Sequence, residues 1–297
     1  MLTMGMNDIA PAAGPRVQNW AGLKLAGPLV MGILNVTPDS FSDGGRWNAS
    51  DAAIAAGIAM LEAGADIIDI GGESTRPDAA PVPVEKEISR ILPVIAALAA
   101  RGAKISVDTR NAPTMEAALD AGAAIINDVS ALQYDAASMR LAASRHCPVI
   151  LMHMRGSPST MDTQARYFDV AGEVLAELTR RRDAALAAGI AAENIALDPG
   201  FGFAKLGAQN LELLRATGRF AALGHPLVIG LSRKRFIGQF GAEKDPEKRF
   251  PGSIAAALYA VSQGAAILRV HDVAETVQAL KIWRELTATP VESAKSP

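Results

Sequence analysis

The chain has 297 residues, of which 49% are hydrophobic and 20% charged, so it can bury a large core and is not expected to be disordered. Its formal net charge of −2 argues against a nucleic-acid partner. The single cysteine, Cys147, excludes a disulfide within the chain and a cysteine-based zinc site.

Residues 1–20 and 289–297 are predicted to be flexible tails, and residues 21–288 a single domain, because no linker divides them. The N-terminal segment lacks the basic start and apolar stretch of a secretory signal. No apolar run approaches the ~18 residues that a membrane span needs. We therefore expect a cytoplasmic protein that does not enter membranes.

Eight short apolar runs rich in Val and Ile recur along the domain. They are continuous rather than alternating, which is typical of parallel strands covered on both faces. In chain order they are LVMGILNVT from Leu29, ADIIDIGG from Ala65, AKISVDT from Ala103, AIINDVS from Ala124, PVILMHM from Pro148, IALDPGF from Ile195, PLVIGLS from Pro226 and AAILRVH from Ala265.

Helical stretches separate these runs. The first places Ile54, Ile58 and Leu61 on one face, and Ser50 or Asp51 is predicted to cap it. Glycines suited to closing a helix precede several strands; they are Gly64, Gly102, Gly122, Gly189 and Gly264. Eight strand–helix units in about 270 residues predict an α/β fold, a single (β/α)8 TIM barrel. The alternative is a doubly wound open sheet, which normally has fewer strands and a glycine fingerprint after the first.

Nearly every predicted strand ends with a polar or ionisable side chain. These residues are Asn35, Glu73, Ser74, Thr75, Asp108, Asn127, His153, Asp198, Ser232, Arg269 and His271. Active sites of such barrels lie at the C-terminal ends of the strands, so the pattern predicts one site at that mouth.

Three of these strand ends suit a flat heterocycle. Asp108, Asn127 and Asp198 end strands that can converge in the barrel. An ionised carboxylate accepts two parallel N–H bonds, and an aminopyrimidinone edge offers them. The alternative is that Asp108 caps the helix that follows.

Cationic residues indicate an anion site. SRKRFIG, residues 232–238, carries three cations after a strand end, and Arg269 and His271 lie two apart on one strand face. Phosphate sites of these barrels often lie near strands seven and eight, so pyrophosphate fits. GGESTRP, residues 71–77, follows strand two, where Arg76 suits an anionic group. The alternatives are a solvated basic face and a salt-bridged turn.

Taken in order, these segments resemble the dihydropteroate synthase family from about Leu29 to Leu286. The family-like stretches are MGILNVTPDSFSDGG, ADIIDIGGESTRP, ISVDTR, AIINDVSAL, LMHMRGSPSTM, LDPGFGF, GLSRKRFIG and AAILRVHDV. Two departures occur: Ala204 replaces the family's usual glycine beside Lys205, and DAAPVPVEKE follows the TRP segment.

The resemblance implies three binding regions. A pterin ring would be held by Asp108, Asn127, Met152, Asp198 and Lys234. Pyrophosphate would be held by Asn35, Arg269 and His271, with Mg²⁺ at Asn35. The p-aminobenzoate pocket would contain Thr75, Arg76, Pro77, Phe203 and Ser232.

The resemblance also implies the reaction, in which a pterin pyrophosphate is joined to p-aminobenzoate and pyrophosphate leaves. The residues closest to the chemistry would be Asp43, Asp108, Lys234 and Arg269. A homodimer that pairs through helices near the C-terminus is expected. The alternatives are a pterin-binding barrel of the corrinoid methyltransferase type and a catalytically silent paralogue. The intact TRP, SRK and RVH segments favour the synthase.

Overall fold

Eight parallel strands surround a common axis in the computed structural model, which describes residues 17–37, 45–74 and 81–288. A two-stranded sheet precedes them. In chain order the strands are β1 (Asn19–Trp20), β2 (Leu23–Lys24), β3 (Leu29–Asn35), β4 (Ile67–Gly71), β5 (Ile105–Asp108), β6 (Ile125–Asp128), β7 (Val149–Met152), β8 (Ile195–Asp198), β9 (Val228–Ile229) and β10 (Ile267–Val270).

The large sheet closes into a barrel. Its order is β8-β7-β6-β5-β4-β3-β10-β9, and every neighbouring pair in it is parallel. A parallel bridge between Leu197 and Leu227 joins β8 to the residue just before β9 and completes the ring. Each of the eight apolar runs supplies one strand, so the predicted barrel is confirmed and the open sheet is wrong.

Helices cover the outside of the barrel. They are α1 (Gly45–Glu62), α2 (Val84–Ala99), α3 (Ala112–Asp120), α4 (Ser138–Arg145), α5 (Val170–Ala187), α6 (Ala208–Arg215), α7 (Thr217–Ala221), α8 (Arg235–Phe240), α9 (Phe250–Ser262) and α10 (Val273–Thr287). The five glycines predicted to follow helix ends all have positive φ, from 79° at Gly102 to 110° at Gly122. The predicted cap at Ser50 or Asp51 is wrong, because α1 begins at Gly45 and both residues lie inside it.

The N-terminal end of the barrel is closed by the antiparallel pair β1–β2. Trp20 is 1% exposed, and its indole N–H donates to the Asn194 carbonyl at 3.3 Å. The described fold therefore begins before residue 21, within the segment that the sequence assigns to a tail. The predicted C-terminal tail, 289–297, lies outside the described residues.

Two layers of inward-facing residues lie above this hairpin. The lower layer is apolar and packs with Trp20; it comprises Leu29, Met31, Ile67, Ile125, Ile150, Ala196, Val228 and Ile267. Side chains on a strand alternate, so positions two residues further on face the same interior nearer the C-terminal mouth. There the upper layer is mostly polar; it comprises Asp69, Asp108, Asn127, Met152, Asp198 and Arg269. The second large apolar cluster packs between strands and helices.

No helix in the described ranges is both long and apolar enough to span a membrane. Cys147 is buried and unpaired, and burial raises the pKa of its thiol to about 11. A buried thiol that stays protonated is a poor nucleophile, so Cys147 has a structural role in the packing around it.

Candidate active site

A charged cluster occupies the upper layer of the barrel. The Arg269 Nε donates to Asp69 Oδ2 at 2.6 Å, and its Nη2 donates to Asp108 Oδ2 at 2.7 Å. The Asn127 side-chain amide donates to the same Asp69 oxygen at 3.1 Å. Strands β4, β5, β6 and β10 thus bring one cation, two carboxylates and an amide together. The helix-cap alternative for Asp108 is wrong, since the N-cap position of α3 is occupied by Asn111.

Burial sets the protonation of this cluster. Burial raises the pKa of Asp108 to about 7, although the nearby Arg269 guanidinium acts in the opposite direction. Burial would also lower the pKa of Arg269, but Asp69 and Asp108 outweigh it and raise that pKa above its ordinary value. Arg269 therefore stays charged, whereas Asp108 can exchange a proton near neutral pH.

Asp69 was not singled out in the sequence. It lies inside the apolar run of β4, is fully buried, and accepts from both Arg269 and Asn127. Its other oxygen has no hydrogen-bond partner among the described residues. The available signal was a carboxylate in the middle of a buried strand, where an unpaired charge is strongly disfavoured.

Asp198 and Lys234 form the opposite side of the mouth. The Asp198 carboxylate accepts from the Gly200 backbone N–H at 2.7 Å, and burial raises its pKa. Burial and the charge of Arg269 lower the pKa of Lys234 to about 8. The Lys234 ammonium lies 4.3 Å from the centroid of the Phe203 ring, within range of a cation–π contact.

An apolar wall adjoins this side. Phe203 packs with Val129, Met152, Met161 and Ala204 in one buried cluster. Such a wall excludes water from the flat face of a ring that is hydrogen-bonded at its edge. Met152, which the resemblance placed in the pterin site, is therefore next to Phe203.

Ser232 and His271 are joined at the end of β10. The Ser232 hydroxyl lies 3.2 Å from the His271 backbone N–H, which donates to it, and 3.0 Å from the imidazole Nδ1. Burial and the charge of Arg269 lower the pKa of His271 to about 3, so the ring is neutral at pH 7. Both contacts are satisfied when Ser232 donates to Nδ1, and the Nε2–H is then the free donor of the ring.

Contacts of Arg233 with Asp272 and Ser253 fix the SRK segment, residues 232–234. Arg233 pairs with Asp272 at 2.6 Å, its backbone N–H donates to the Ser253 hydroxyl, and its φ is 59°. This left-handed conformation is unusual for a residue other than glycine. Arg233 lies between Ser232 and Lys234, so this strained backbone position separates two residues that are predicted to bind the substrates.

The remaining predicted residues fall into two groups. Asn35 is half-buried at the C-terminal end of β3, the strand that pairs with β10. Four lie outside the described residues: Asp43, Thr75, Arg76 and Pro77.

The flanks of residues 75–80 are tied together. Glu73 accepts from the Val82 backbone N–H at 3.1 Å, and it forms an ion pair with Arg110, also at 3.1 Å. Both side chains of that pair are about nine-tenths buried, so the contact is well shielded from water. Arg110 was not predicted as a site residue.

No group of three or more His, Cys, Asp or Glu side chains in the described ranges is placed to hold a metal ion. Asn35 offers one amide oxygen, which is a single ligand of the kind that Mg²⁺ accepts. Such a donor set does not form a closed metal site, but it fits an ion whose other ligands are phosphate oxygens and water.

Comparison with known proteins agrees with this site. Residues 31–271 match the model of a family described as pterin binding enzyme. The dihydropteroate synthase of Neisseria meningitidis serogroup C is 48% identical over 262 residues, which cover 87% of this chain and 93% of that protein.

Two solved structures are similar over nearly the whole fold. The dihydropteroate synthase of Xanthomonas albilineans with 4-aminobenzoic acid gives a TM-score of 0.87 at 48% identity, covering 94% of this chain and 100% of that one. The same enzyme in complex with 7,8-dihydropteroate gives a TM-score of 0.83 at 46% identity, and the match covers 90% of this chain and 97% of that one. The chain belongs to the pterin-binding enzyme family. Within it the chain groups with the dihydropteroate synthases, transferases that join a pterin pyrophosphate to p-aminobenzoate.

Proposed function

We propose that the upper layer of the barrel binds the pterin ring of 6-hydroxymethyl-7,8-dihydropterin pyrophosphate. The observation that carries this is the cluster in which Arg269 donates to Asp108 and Asp69, and Asn127 donates to Asp69. Asp198, at the end of β8, and Lys234, just before α8, complete the proposed site. The carboxylates accept from the aminopyrimidinone edge, and Asn127 and Lys234 donate to its acceptors. Met152 packs against the face of the ring.

Pyrophosphate is proposed to lie at the β10 end of this site. Arg269 supplies a permanently charged guanidinium, and His271 supplies its neutral Nε2–H donor. Asn35, on the adjacent strand, would hold Mg²⁺ that arrives with the pyrophosphate. The ion would neutralise charge on the leaving group.

p-Aminobenzoate is proposed to bind beside Phe203, whose ring contacts Lys234, and Ser232, which lies two residues before Lys234 in the chain. The Phe203 ring offers an apolar face to the benzoate ring, and Ser232, whose hydroxyl proton is given to His271, lines the pocket beside it. Thr75, Arg76 and Pro77, outside the described residues, would complete the pocket. The related dihydropteroate synthase of Xanthomonas albilineans has been solved with 4-aminobenzoic acid, which supports this proposal.

The reaction is a substitution at the pterin methylene. The bond from that carbon to the pyrophosphate oxygen breaks, and a bond to the aniline nitrogen forms. The nitrogen loses one proton, which passes to water or to the departing pyrophosphate. Arg269 and His271 stabilise the departing anion, while Asp108 favours positive charge that develops on the pterin. Asp43, outside the described residues, would act with Asp108. The aniline is already neutral at pH 7, so the site orders the reactants rather than supplying a strong base.

A homodimer is proposed through α9 and α10. These helices share an apolar groove lined by Phe250, Ile254, Leu258, Ile282 and Leu286, with Trp283. Ile282 is 60% exposed and Leu286 77% exposed, and a patch of this kind is typical of a protein interface. A second copy of the chain is the occupant. We also propose the cytoplasm as its compartment, as expected from the sequence.

Turnover of pterin pyrophosphate and p-aminobenzoate to dihydropteroate tests this function. Asp198→Asn removes charge from an acceptor, and a mispaired buried group costs about 1–3 kcal/mol. We therefore expect pterin pyrophosphate affinity to fall at least about tenfold by calorimetry with the fold intact. Wild-type affinity in this variant would contradict the assignment of Asp198 to the pterin edge.

A further inference from the structure

Lys205 is a buried cation without a carboxylate partner among the described residues. It is 1% exposed and follows β8 in the loop that leads to α6. Its ammonium contacts the backbone carbonyls of Gly200 and Phe203, both at 2.9 Å, and that of His153 at 3.2 Å. It also lies 2.8 Å from the His153 Nδ1. These four acceptors surround the ammonium and replace water.

The neighbours of His153 determine which atom donates. Arg155 pairs with Glu177. Hydrogen bonds from His153 and Arg155 lower the pKa of the Glu177 carboxyl to about 2, so Glu177 is ionised at neutral pH. Glu177 lies 2.9 Å from the His153 Nε2, which must therefore carry the proton. Burial and the charge of Lys205 lower the pKa of His153 to about 4, so its Nδ1 is bare and accepts from Lys205.

The hydrogen-bond acceptors around Lys205 favour its charged form. Burial lowers the pKa of Lys205, yet every neighbour of its nitrogen is an acceptor. A neutral amine has only two protons to give, whereas the ammonium has three. The hydrogen bonds therefore hold a charge in place of the usual carboxylate partner.

The loop that Lys205 holds has an unusual backbone. Gly200, Gly202 and Ala204 all have positive φ, at 71°, 76° and 54°. A Cβ on Gly200 would collide with the His153 carbonyl oxygen, so the loop backbone rests directly on the end of β7. The alternating conformation turns the carbonyls of Gly200 and Phe203 towards one point, where the ammonium lies.

We infer that Lys205 is a positioning residue for p-aminobenzoate: its ammonium ties the β8–α6 loop to the end of β7 and so fixes the Phe203 ring beside Lys234. This rests on the proposed function, which places Phe203 in the p-aminobenzoate pocket. Lys205 itself does not reach that pocket, because its ammonium is enclosed by backbone. Most pterin ligands come from other strands, so the two substrates depend on Lys205 to different degrees.

Two substitutions test this role. Lys205→Met keeps an unbranched side chain, shorter by one atom, and removes every donor, whereas Lys205→Gln keeps two N–H donors. Lys24→Met is the matched control, because Lys24 is exposed on β2 at the opposite end of the barrel. Calorimetry measures p-aminobenzoate binding in the presence of 6-hydroxymethylpterin and Mg²⁺-pyrophosphate, and pterin binding separately. Thermal unfolding checks that each variant is folded.

Lys205→Met is expected to weaken p-aminobenzoate at least tenfold and pterin less than threefold. Lys205→Gln is expected to lie between Lys205→Met and the wild type, and Lys24→Met to match the wild type. Unchanged p-aminobenzoate binding in Lys205→Met, or an equal loss for both ligands, would overturn the inference. So would failure of both Lys205 variants to fold, since Lys205 would then support the barrel as a whole. A wild-type protein that binds no p-aminobenzoate would instead overturn the proposed function, and this inference with it.

Discussion

The two ends of the barrel are made from the same strands but have opposite chemistry. Ile67 and Ile267 belong to the apolar lower layer, while Asp69 and Arg269, two residues later on the same strands, form an ion pair in the upper layer. The lower layer is covered by Trp20 and the β1–β2 hairpin, and it gains free energy by excluding water. The upper layer contains charged groups whose burial costs free energy, and their role is to bind the substrates.

The difference shows how a barrel separates stability from function over two residues of a strand. Packing at the lower end fixes the positions of the strands, so the upper layer can hold like-charged groups close together. Asp69 and Asp108 both contact Arg269 there. If this division is correct, substitutions at the two ends should affect different measurements.

The largest effect is expected at Arg269. Arg269→Ala leaves Asp69 and Asp108 without their cation and removes the main pyrophosphate ligand. Breaking a buried pair costs about 3–5 kcal/mol, and a loss of that size in transition-state binding lowers kcat/KM for pterin pyrophosphate by at least about 100-fold. Affinity for the free pterin alcohol should fall much less. Steady-state kinetics and calorimetry measure both, and an equal loss for the two ligands would place Arg269 on the ring instead.

At the lower end, Trp20→Ala should affect stability alone. Truncating a buried Trp costs about 3–5 kcal/mol, which denaturant unfolding would detect. The kcat of the folded protein should stay within about twofold, since Trp20 is separated from the site by the whole lower layer. Asn19→Ala, at the exposed neighbour, is the control and should change stability by less than about 0.5 kcal/mol. A large loss of kcat in folded Trp20→Ala would contradict the division between the two ends.

These two layers were not equally predictable. Continuous apolar runs and glycines after helices predicted all eight barrel strands, because burial on both faces leaves a strong pattern. The β1–β2 hairpin was missed, since two-residue strands such as Asn19–Trp20 are too short to show a period. The hairpin exists because it covers the lower layer, which is a tertiary effect.

In the upper layer, the sequence indicated residues at strand ends but not the groups that support them. Asp69 is hidden inside an apolar run, and its contacts with Arg269 join positions 200 residues apart. Lys205 likewise acts through backbone carbonyls, which carry no sequence signal. Such contacts depend on three-dimensional closure of the barrel and cannot be read from local spacing.

The pH dependence of substrate capture tests the upper layer more finely. Asp108 has a pKa raised to about 7 and is protonated below it, so it then accepts fewer hydrogen bonds from the pterin. Lys234 has a pKa lowered to about 8 and loses its charge above it. We expect kcat/KM for pterin pyrophosphate to fall on both sides of the range from 7 to 8, by up to tenfold per pH unit. Asp108→Asn should flatten the acid limb, and an acid limb that persists in this variant would assign it to another group.

The smallest effect is expected at Ala204, where three contributions offset one another. Ala204 has a φ of 54°, and a left-handed conformation costs a residue with a Cβ about 1–2 kcal/mol, which Ala204→Gly would relieve. The substitution also removes a methyl group that is fully buried beside Phe203, which costs about 0.8 kcal/mol of stability. Glycine raises the conformational entropy of the unfolded chain, which costs about another 0.4–1 kcal/mol. Stability by denaturant unfolding should therefore change by less than about 0.5 kcal/mol.

Gly202→Ala is the matched opposite substitution. At a φ of 76° the new Cβ would lie 3.3 Å from Lys234 Cδ, so backbone strain and crowding add, and a loss of about 1–2 kcal/mol in stability is expected. If Ala204→Gly raises the free energy of unfolding by more than about 1 kcal/mol, backbone strain dominates in this loop. If it lowers that free energy by a similar amount, packing of the methyl group dominates.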